Sequence, residues 1–370
     1  MKELAFVFLR LGTTAFGGPA AHIAMMEDEF VRRRAWLTRE QFLDLVGAAG
    51  LIPGPSSTEV AIYVGYRRAG WRGLIVAGVC FILPAALIVT AIAWAYVRFG
   101  RLPAVSGALY GIKAVIIAIV VQALVAFGRT AIKTKWLLAL GGVAGAASAL
   151  GATPVLVLLA AGTMNAFLRA MQRPRAPLAI FIVPGALAAP AIAATPVGLT
   201  KLFALFFKIG ALVFGSGYVL LAFLRTDLVE RSQWLTESQL IDAVAVGQCT
   251  PGPVFTTATF IGYVLAGVPG ALVATLGIFV PSFVLVAVSG PLLPRLRRSP
   301  AASAFLDAVN VASLALMAVV AAQLARAAII DVPAVLLALA SAVMLFKWRV
   351  NSAWLVLGGG ALGEVAQWLR

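Results

Sequence analysis

Charge is what this 370-residue chain has little of: Asp, Glu, Lys and Arg make up 12% of it, and only 14 residues are acidic. Water-soluble domains average about 25% charged residues. With 62% hydrophobic residues and a mean hydropathy of +1.00, the chain lacks the polar surface to cover a soluble globule, so its main solvent is lipid. Histidine is reduced to His22 alone, and the two cysteines, Cys80 and Cys249, sit in apolar surroundings. This excludes a disulfide framework and leaves no Cys/His cluster for zinc, haem or iron–sulfur, so no metal or cofactor is expected. No acid–base pair or metal triad stands out, so a membrane enzyme such as a lipid-modifying transferase is disfavoured and no catalytic residue is assigned. Strand-like alternation is scarce too, which favours helices over a barrel.

What is present is a series of apolar stretches near the ~20 residues a helix needs to cross a bilayer: Gly73–Val97, Val105–Phe127, Thr153–Leu168, Ala271–Val288 and Leu314–Arg326. The net charge of +15 invites a nucleic-acid partner. The basic residues instead cluster in short loops between apolar spans, as the positive-inside rule expects, and no basic run interleaves with aromatics. The bilayer is the expected partner and nucleic acid is not. The N-terminal apolar run Leu4–Leu9 is short for a signal peptide and Arg10 interrupts it, so no cleaved leader is expected.

The chain repeats itself. Residues 16–59 align with 214–257 at a constant offset of 198. Phe16-Gly17-Gly18-Pro19 matches Phe214-Gly215-Ser216-Gly217, and Trp36-Leu37-Thr38 matches Trp234-Leu235-Thr236. Gln41 and Asp44 match Gln239 and Asp242, and Pro53-Gly54-Pro55 matches Pro251-Gly252-Pro253. After a one-residue gap, Gly65-Tyr66 and Pro84 match Gly262-Tyr263 and Pro281. Hydrophobicity alone does not generate such spacing, so the chain is a duplication: an N-terminal repeat over 1–175, a linker over 176–198 and a C-terminal repeat over 199–370.

Each half reads as a first helix carrying the Phe-Gly break, a short polar amphipathic stretch, an apolar segment broken at Pro-Gly-Pro, and four more apolar spans. Proline removes a backbone donor and glycine weakens a helix, so Pro-Gly-Pro separates two half-helices. The flanking pieces Phe42–Ile52 and Ser56–Tyr66 are too short to cross and predict a re-entrant hairpin. The fold expected is an all-α polytopic membrane protein with about ten transmembrane helices plus two re-entrant Pro-Gly-Pro hairpins. Five crossings per half would invert the second half relative to the first. An inverted arrangement places 19 Lys and Arg inside against 7 outside, with both termini outside. The apolar run Leu178–Val197 is broken by Pro184, Gly185, Pro190 and Pro196 and reads as linker; as a span it would make the halves parallel.

Three cations remain inside the spans, Arg10, Lys113 and Lys208, and a charge there costs at least ~2.5 kcal/mol on insertion scales. Arg10 and Lys208 are 198 apart, each six residues before the Phe-Gly of its half. Such residues can snorkel to a helix end, but a matched pair of cations suits a dianion. The half-helices after the Pro-Gly-Pro turns point free N–H groups and a positive dipole end at the break. Ser56, Ser57 and Thr58 open one and Thr256 and Thr257 the other, which caps the helix and also makes a cradle for a tetrahedral oxyanion. The binding candidates are therefore Arg10, Lys208, Gly17, Gly18, Gly54, Ser56, Ser57, Thr58, Gly215, Gly217, Gly252 and Thr256. Glu59 can carry a proton or pair with Arg10 or Lys113, and His22 can titrate near neutral pH or serve as a hydrogen-bonding group. Asp44 and Asp242 read as capping or hairpin residues, Trp36 and Trp234 as interfacial anchors, and Arg32-Arg33-Arg34 as a topology signal.

These motifs resemble the chromate ion transporter family in its long two-domain form. The residues carrying the resemblance are Phe16-Gly17-Gly18-Pro19 with His22, Glu29-Phe30-Val31-Arg32-Arg33, Trp36-Leu37 and Pro53-Gly54-Pro55-Ser56-Ser57-Thr58-Glu59. In the second half they are Lys208-Ile209-Gly210-Ala211, Phe214-Gly215-Ser216-Gly217-Tyr218 and Thr250-Pro251-Gly252-Pro253. The resemblance implies a multi-pass inner-membrane secondary transporter that exports chromate, driven by the membrane potential or a proton gradient, and confers chromate resistance. Sulfate is the isosteric alternative substrate, and a homodimer is compatible with it.

Overall fold

In the computed structural model, residues 1–16, 18–100, 102–172, 198–214, 219–289, 300–348 and 350–368 are described, and every regular element among them is helical. The first half contains α1 (Lys2–Thr14), α2 (Gly18–Glu27) running into a π-helical turn (Asp28–Arg33), α3 (Arg39–Ala49), α4 (Ser56–Phe99), α5 (Pro103–Ala131), α6 (Lys135–Ala149) and α7 (Pro154–Gln172). The second half contains α8 (Leu199–Leu212), α9 (Leu220–Leu224) with its π turn (Arg225–Arg231), α10 (Glu237–Cys249), a 3-10 turn (Val254–Thr256) and α11 (Thr257–Ser289). It ends with α12 (Pro300–Ala328), α13 (Val332–Lys347) and α14 (Ser352–Trp368). The expected linker lies almost wholly outside the described residues, as do Gly17, Gly215 and Gly217.

Local chemistry explains the element starts. Thr38 and Thr236 open α3 and α10 with full capping boxes, each exchanging bonds with the glutamine three residues on, Gln41 or Gln239. Asp331 caps α13 by accepting from the Ala334 N–H at 2.9 Å.

The long helices α4 and α11 are each two helices. The backbone leaves helical space at Ala69 and Gly70 (φ 58°) and again at Ala266 and Gly267 (φ 61°), the left-handed region that glycine tolerates. Thr259 Oγ1 lies 2.7 Å from Thr275 Oγ1, whereas sixteen residues of straight helix would separate them by about 24 Å. The chain therefore reverses at each break, leaving short pieces over 56–68 and 257–265 and long helices from residues 71 and 268. The outer face of the long helices is apolar and exposed at Trp71, Ile75, Val79, Leu83 and Leu87, and at Val268, Leu272, Leu276, Val284 and Val288. A fourfold-spaced stripe of that kind faces lipid. Among the described residues, five helical segments have the length and hydropathy to cross a membrane: Ser56–Phe99, Val105–Ala131, Pro154–Met171, Val254–Ser289 and Pro300–Ala328.

One expectation changes. The first apolar segment was read as a single crossing with a break in it. In the structure, α1 and α2 fold back on each other, because Arg10 meets Glu29 and Arg34 meets Glu3. Nineteen residues of straight helix would put Arg10 and Glu29 about 28 Å apart. Lys208 meets Asp227 across the same nineteen residues in the second half, so each half begins with a helical hairpin, and a Pro-Gly-Pro turn follows between α3 and α4 and between α10 and α11.

The halves interlock. α6 and α7 of the first half pack on α12 of the second, while their twins α13 and α14 pack on α5 of the first. At the α5–α14 crossing the backbones touch, and a methyl group on Gly111 or Gly363 would collide with the opposite main chain. Small residues at such a crossing let two helices approach without a layer of side chains between them.

Candidate functional site

The two Pro-Gly-Pro turns are held by the opposite halves. The Gly54 N–H donates to Val213 O at 2.7 Å, and the Gly252 N–H donates to Ala15 O at 2.9 Å. Ala15 and Val213 are 198 apart, as are Gly54 and Gly252. Each turn therefore hooks the tip of the other half's first hairpin, and the two contacts are the same contact made twice. Reciprocity of this kind defines a pseudo-two-fold axis between the halves. We call the Gly54–Val213 contact the first clasp and the Gly252–Ala15 contact the second.

The helix starts beside the clasps are buried. Thr58 and Glu59 are fully enclosed, Ser57 nearly so, and Ser56 is half-buried. Ser57 Oγ lies 3.3 Å from His22 Nδ1, and the His22 ring also reaches the Ala15 backbone. His22 therefore joins the first half-helix to the second clasp, and its edge meets the Phe81 ring. Thr58 Oγ1 and both Glu59 oxygens have no hydrogen-bond partner among the described residues. In the second half the hydroxyls turn back on their own chain: Thr256 Oγ1 donates to Pro253 O and Thr257 Oγ1 to Val254 O, both at 2.8 Å. Gly54 (φ 139°) and Gly252 (φ 87°) occupy backbone conformations that side chains rarely adopt. Gly18 (φ 77°) opens α2.

Neither matched cation is a spare charge. Arg10 is ion-paired with Glu29, and Lys208 Nζ lies 2.6 Å from Asp227 Oδ2. Glu29 and Asp227 are themselves 198 apart. Each first hairpin therefore carries its own cation–carboxylate bridge, and no described contact brings Arg10 and Lys208 together. The third cation, Lys113, lies 3.3 Å from Asp242 Oδ1 and donates to Ser238 Oγ at 2.7 Å. Tyr96 O–H donates to Asp242 Oδ2 at 2.9 Å, so that cluster too joins the halves. Glu59 pairs with neither Arg10 nor Lys113, the two partners considered for it; both are taken by other acids.

Sequence reasoning passed over Glu29 and Asp227 as partners, although their matched positions in the two copies were a readable signal. It also missed Ser282, fully buried on α11 with its hydroxyl unpartnered among the described residues, which sits in an apolar run with nothing local to mark it.

Clasped half-helices inside an interlocked, lipid-faced, duplicated helical body are the construction of a multi-pass membrane transport protein. The chain belongs to the chromate transporter family, whose profile matches residues 2–166 and again 200–364. The two matches repeat at the 198-residue offset. The chain is 35% identical over 371 residues to a chromate transport protein of Cupriavidus metallidurans, covering 98% of this chain and 92% of that one. It is 34% identical over 360 residues to a probable chromate transport protein of Synechococcus elongatus, covering 95% and 91% of the two chains. It is 30% identical over 376 residues to a chromate transport protein of Pseudomonas aeruginosa, covering 96% and 90%. No solved structure matches the chain.

Proposed function

We propose that this protein is a secondary transporter that exports chromate across the inner membrane and so confers chromate resistance, with its halves inverted about the pseudo-two-fold axis. The observation that carries the reading is the reciprocal clasp, in which the turn before each half-helix bonds the opposite half. Helix N-termini favour anions through free N–H groups and the dipole. Broken helices at the interface of inverted repeats are an established plan for substrate sites. The oxyanion is held beside Gly17, Gly18, Gly54, Gly215, Gly217 and Gly252 by the N–H groups of Ser56 and Ser57 and the hydroxyls of Ser56, Ser57 and Thr58, and by Thr256 once its hydroxyl leaves the Pro253 carbonyl. Arg10 and Lys208 supply charge by exchanging Glu29 and Asp227 for the anion. Charge-assisted bonds are roughly twice as strong as neutral ones, so a dianion can compete for them. Glu59, with His22 as the lesser candidate, links anion movement to protons.

The test is flux of labelled chromate and sulfate in proteoliposomes of the purified protein under imposed pH and voltage gradients. Chromate export that sulfate inhibits only weakly is the expected result. Sulfate flux that chromate does not compete for would make the protein a carrier of a different oxyanion. Arg10→Ala and Lys208→Ala should each abolish flux in protein that still inserts, with Arg10→Lys intermediate because it keeps the charge and loses the guanidinium fork. Near-normal apparent affinity in either alanine variant would reduce that residue to a structural partner of its acid.

A further inference from the structure

The two clasps are twins in backbone and opposites in chemistry. At the first, the Gly54 turn faces Ser282 of α11: a methyl group on Gly54 would lie 2.5 Å from Ser282 Oγ and would collide with Glu59 Oε1. At the second, the Gly252 turn faces Ala85 of α4, whose Cβ would lie 2.6 Å from a methyl group on Gly252. Ser282 and Ala85 are equivalent positions, 197 apart across the one-residue gap. The counterpart of Glu59 is Thr257, whose hydroxyl is spent on the Val254 carbonyl at 2.8 Å. The second clasp thus closes on a methyl group and a satisfied hydroxyl.

The first clasp closes on a carboxyl. Glu59 and Ser282 are both fully buried, and neither Glu59 oxygen nor Ser282 Oγ has a hydrogen-bond partner among the described residues. Burying an ionised, unpaired carboxylate is far costlier than burying a neutral group. The twin shows that the turn closes without one, so packing does not require Glu59. Apart from Thr58, whose Oγ1 also lacks a partner among the described residues, the neighbouring polar groups are engaged. Tyr63, one turn further along, bonds Ser289 at 2.6 Å. His22 on α2 faces Ser57, Arg10 on α1 is held by Glu29, and Asp242 on α10 is held by Lys113. Asp44 sits on α3, and α11 carries Tyr263 as its one titratable side chain.

We propose that Glu59 and Ser282 form a proton-binding site shared between the halves, one per chain, whose protonation governs the first clasp. This deepens the coupling role given to Glu59 above and rests on reading the chain as an oxyanion carrier. Glu59 takes a proton from water on one side and, uncharged, donates its O–H to Ser282 Oγ; the clasp then stays shut. When the proton leaves to water on the other side, the carboxylate has no partner among the described residues of the closed clasp and must hydrate, which pulls Gly54 from Val213. One carboxylate and one hydroxyl against a glycine α-carbon are too few oxygens for a metal cation, which takes about six, whereas a proton needs a single bond. Because the twin clasp carries Ala85 and Thr257, only the first clasp titrates.

The full chain in proteoliposomes tests this with two readouts. Chromate–chromate exchange at equal pH on both sides reports carriage, and net chromate flux under a pH gradient at clamped voltage reports coupling. Glu59→Gln, and Glu59→Thr, which writes the twin's residue into the first clasp, should lose the response to the pH gradient while losing far less exchange. Ser282→Ala should weaken and shift that response, and Ala85→Ser at the twin should leave it in place. Independently of transport, wild-type protein at neutral pH should show an infrared carboxylic C=O band that Glu59→Gln lacks. If the wild type exchanges no chromate, the substrate reading fails and the infrared band still decides the proton site. Undiminished pH-gradient response in Glu59→Gln, flux that follows sodium instead, or no Glu59 band would each overturn the proposal.

Discussion

The two first hairpins descend from one sequence and keep the same π-helical turn and the same ion pair, while the side chains around that pair have changed. In the first half, Glu29 is held by Arg10 and by Arg34, whose Nε lies 2.6 Å away and whose other nitrogen reaches Glu3. In the second, Asp227 is held by Lys208 at 2.6 Å and more loosely by Arg231 at 3.5 Å, while Arg225 turns away to Glu230 and Glu237. The residue 198 beyond Arg34 is Ser232, whose hydroxyl donates to the Asp227 carbonyl. Arginine has become lysine, glutamate has become aspartate, and the supporting network has been rebuilt, yet a cation still meets an acid at the same place. The bridge is thus a property of the hairpin itself. The clasps teach the converse: there the backbone contact is kept and the side-chain chemistry has diverged.

The largest effect should come from removing an acid. Asp227→Ala would strand Lys208, whose side chain is 17% exposed, and breaking a buried pair this way costs about 3–5 kcal/mol. Glu29→Ala should cost less, about 1 kcal/mol, because the Arg10 side chain is 41% exposed and water screens it. Thermal unfolding of the detergent-solubilised variants measures both, and equal losses would undo the contrast. Glu29 also gives the first half an acid limb. Burial pushes its carboxyl up, but the Arg34 hydrogen bond and the charges of Arg10 and Arg34 outweigh that and hold it below the ordinary glutamate range. A depressed carboxyl contributes stability above its unfolded value of about 4.3 and loses it as pH falls through the folded value. Melting temperature should therefore drop on acidification below about pH 4.3, and Glu29→Gln should drop less than wild type.

The clasps should respond next, and unequally. Gly252→Ala presses a methyl group against Ala85 Cβ and the Gly12 carbonyl, which are fixed on helices. Gly54→Ala presses on Glu59, whose flexible chain can move. Overpacking costs about 1–3 kcal/mol, with Gly252→Ala at the upper end and Ala85→Gly restoring part of it. No rescue by Ala85→Gly would mean that backbone strain at φ 87° dominates.

The smallest effect should come at the capping boxes, which are the same in both halves. Thr38→Ala and Thr236→Ala each remove one capping box and should each cost about 1 kcal/mol. A clear difference between them would show that α3 and α10 lean on their surroundings to different degrees.

Much of this was legible beforehand because it is written in short-range chemistry. Proline and glycine act on the backbone next to them, so the Pro-Gly-Pro break between α3 and α4 and the Phe-Gly break after α1 could be placed from residue types alone. The reversal at Ala69-Gly70 was harder. An isolated Ala-Gly has no fixed meaning until Gly65 and Gly73 meet across it. The fold-back of α1 on α2 was missed for the same reason: a broken helix may continue or return, and the ion pair with Glu29 decides. The cation pair was visible as a repeat, but its partners were not, since Glu29 lies nineteen residues away along the chain and a short step across the hairpin.

Composition and hydropathy by themselves determined that this protein lives in a membrane. The offset of 198 residues determined that it is a duplication, and the paired breaks fixed where its helices stop. These are sums over neighbouring residues and need no fold to be read. Only the tertiary structure decided that α6 and α7 pack on the other half, that each Pro-Gly-Pro turn hooks the opposite hairpin, and that Glu59 and Ser282 both border the Gly54 turn. Those are contacts between residues some two hundred positions apart, and a hydrogen bond or an ion pair depends on distance in space, which packing sets and sequence separation does not.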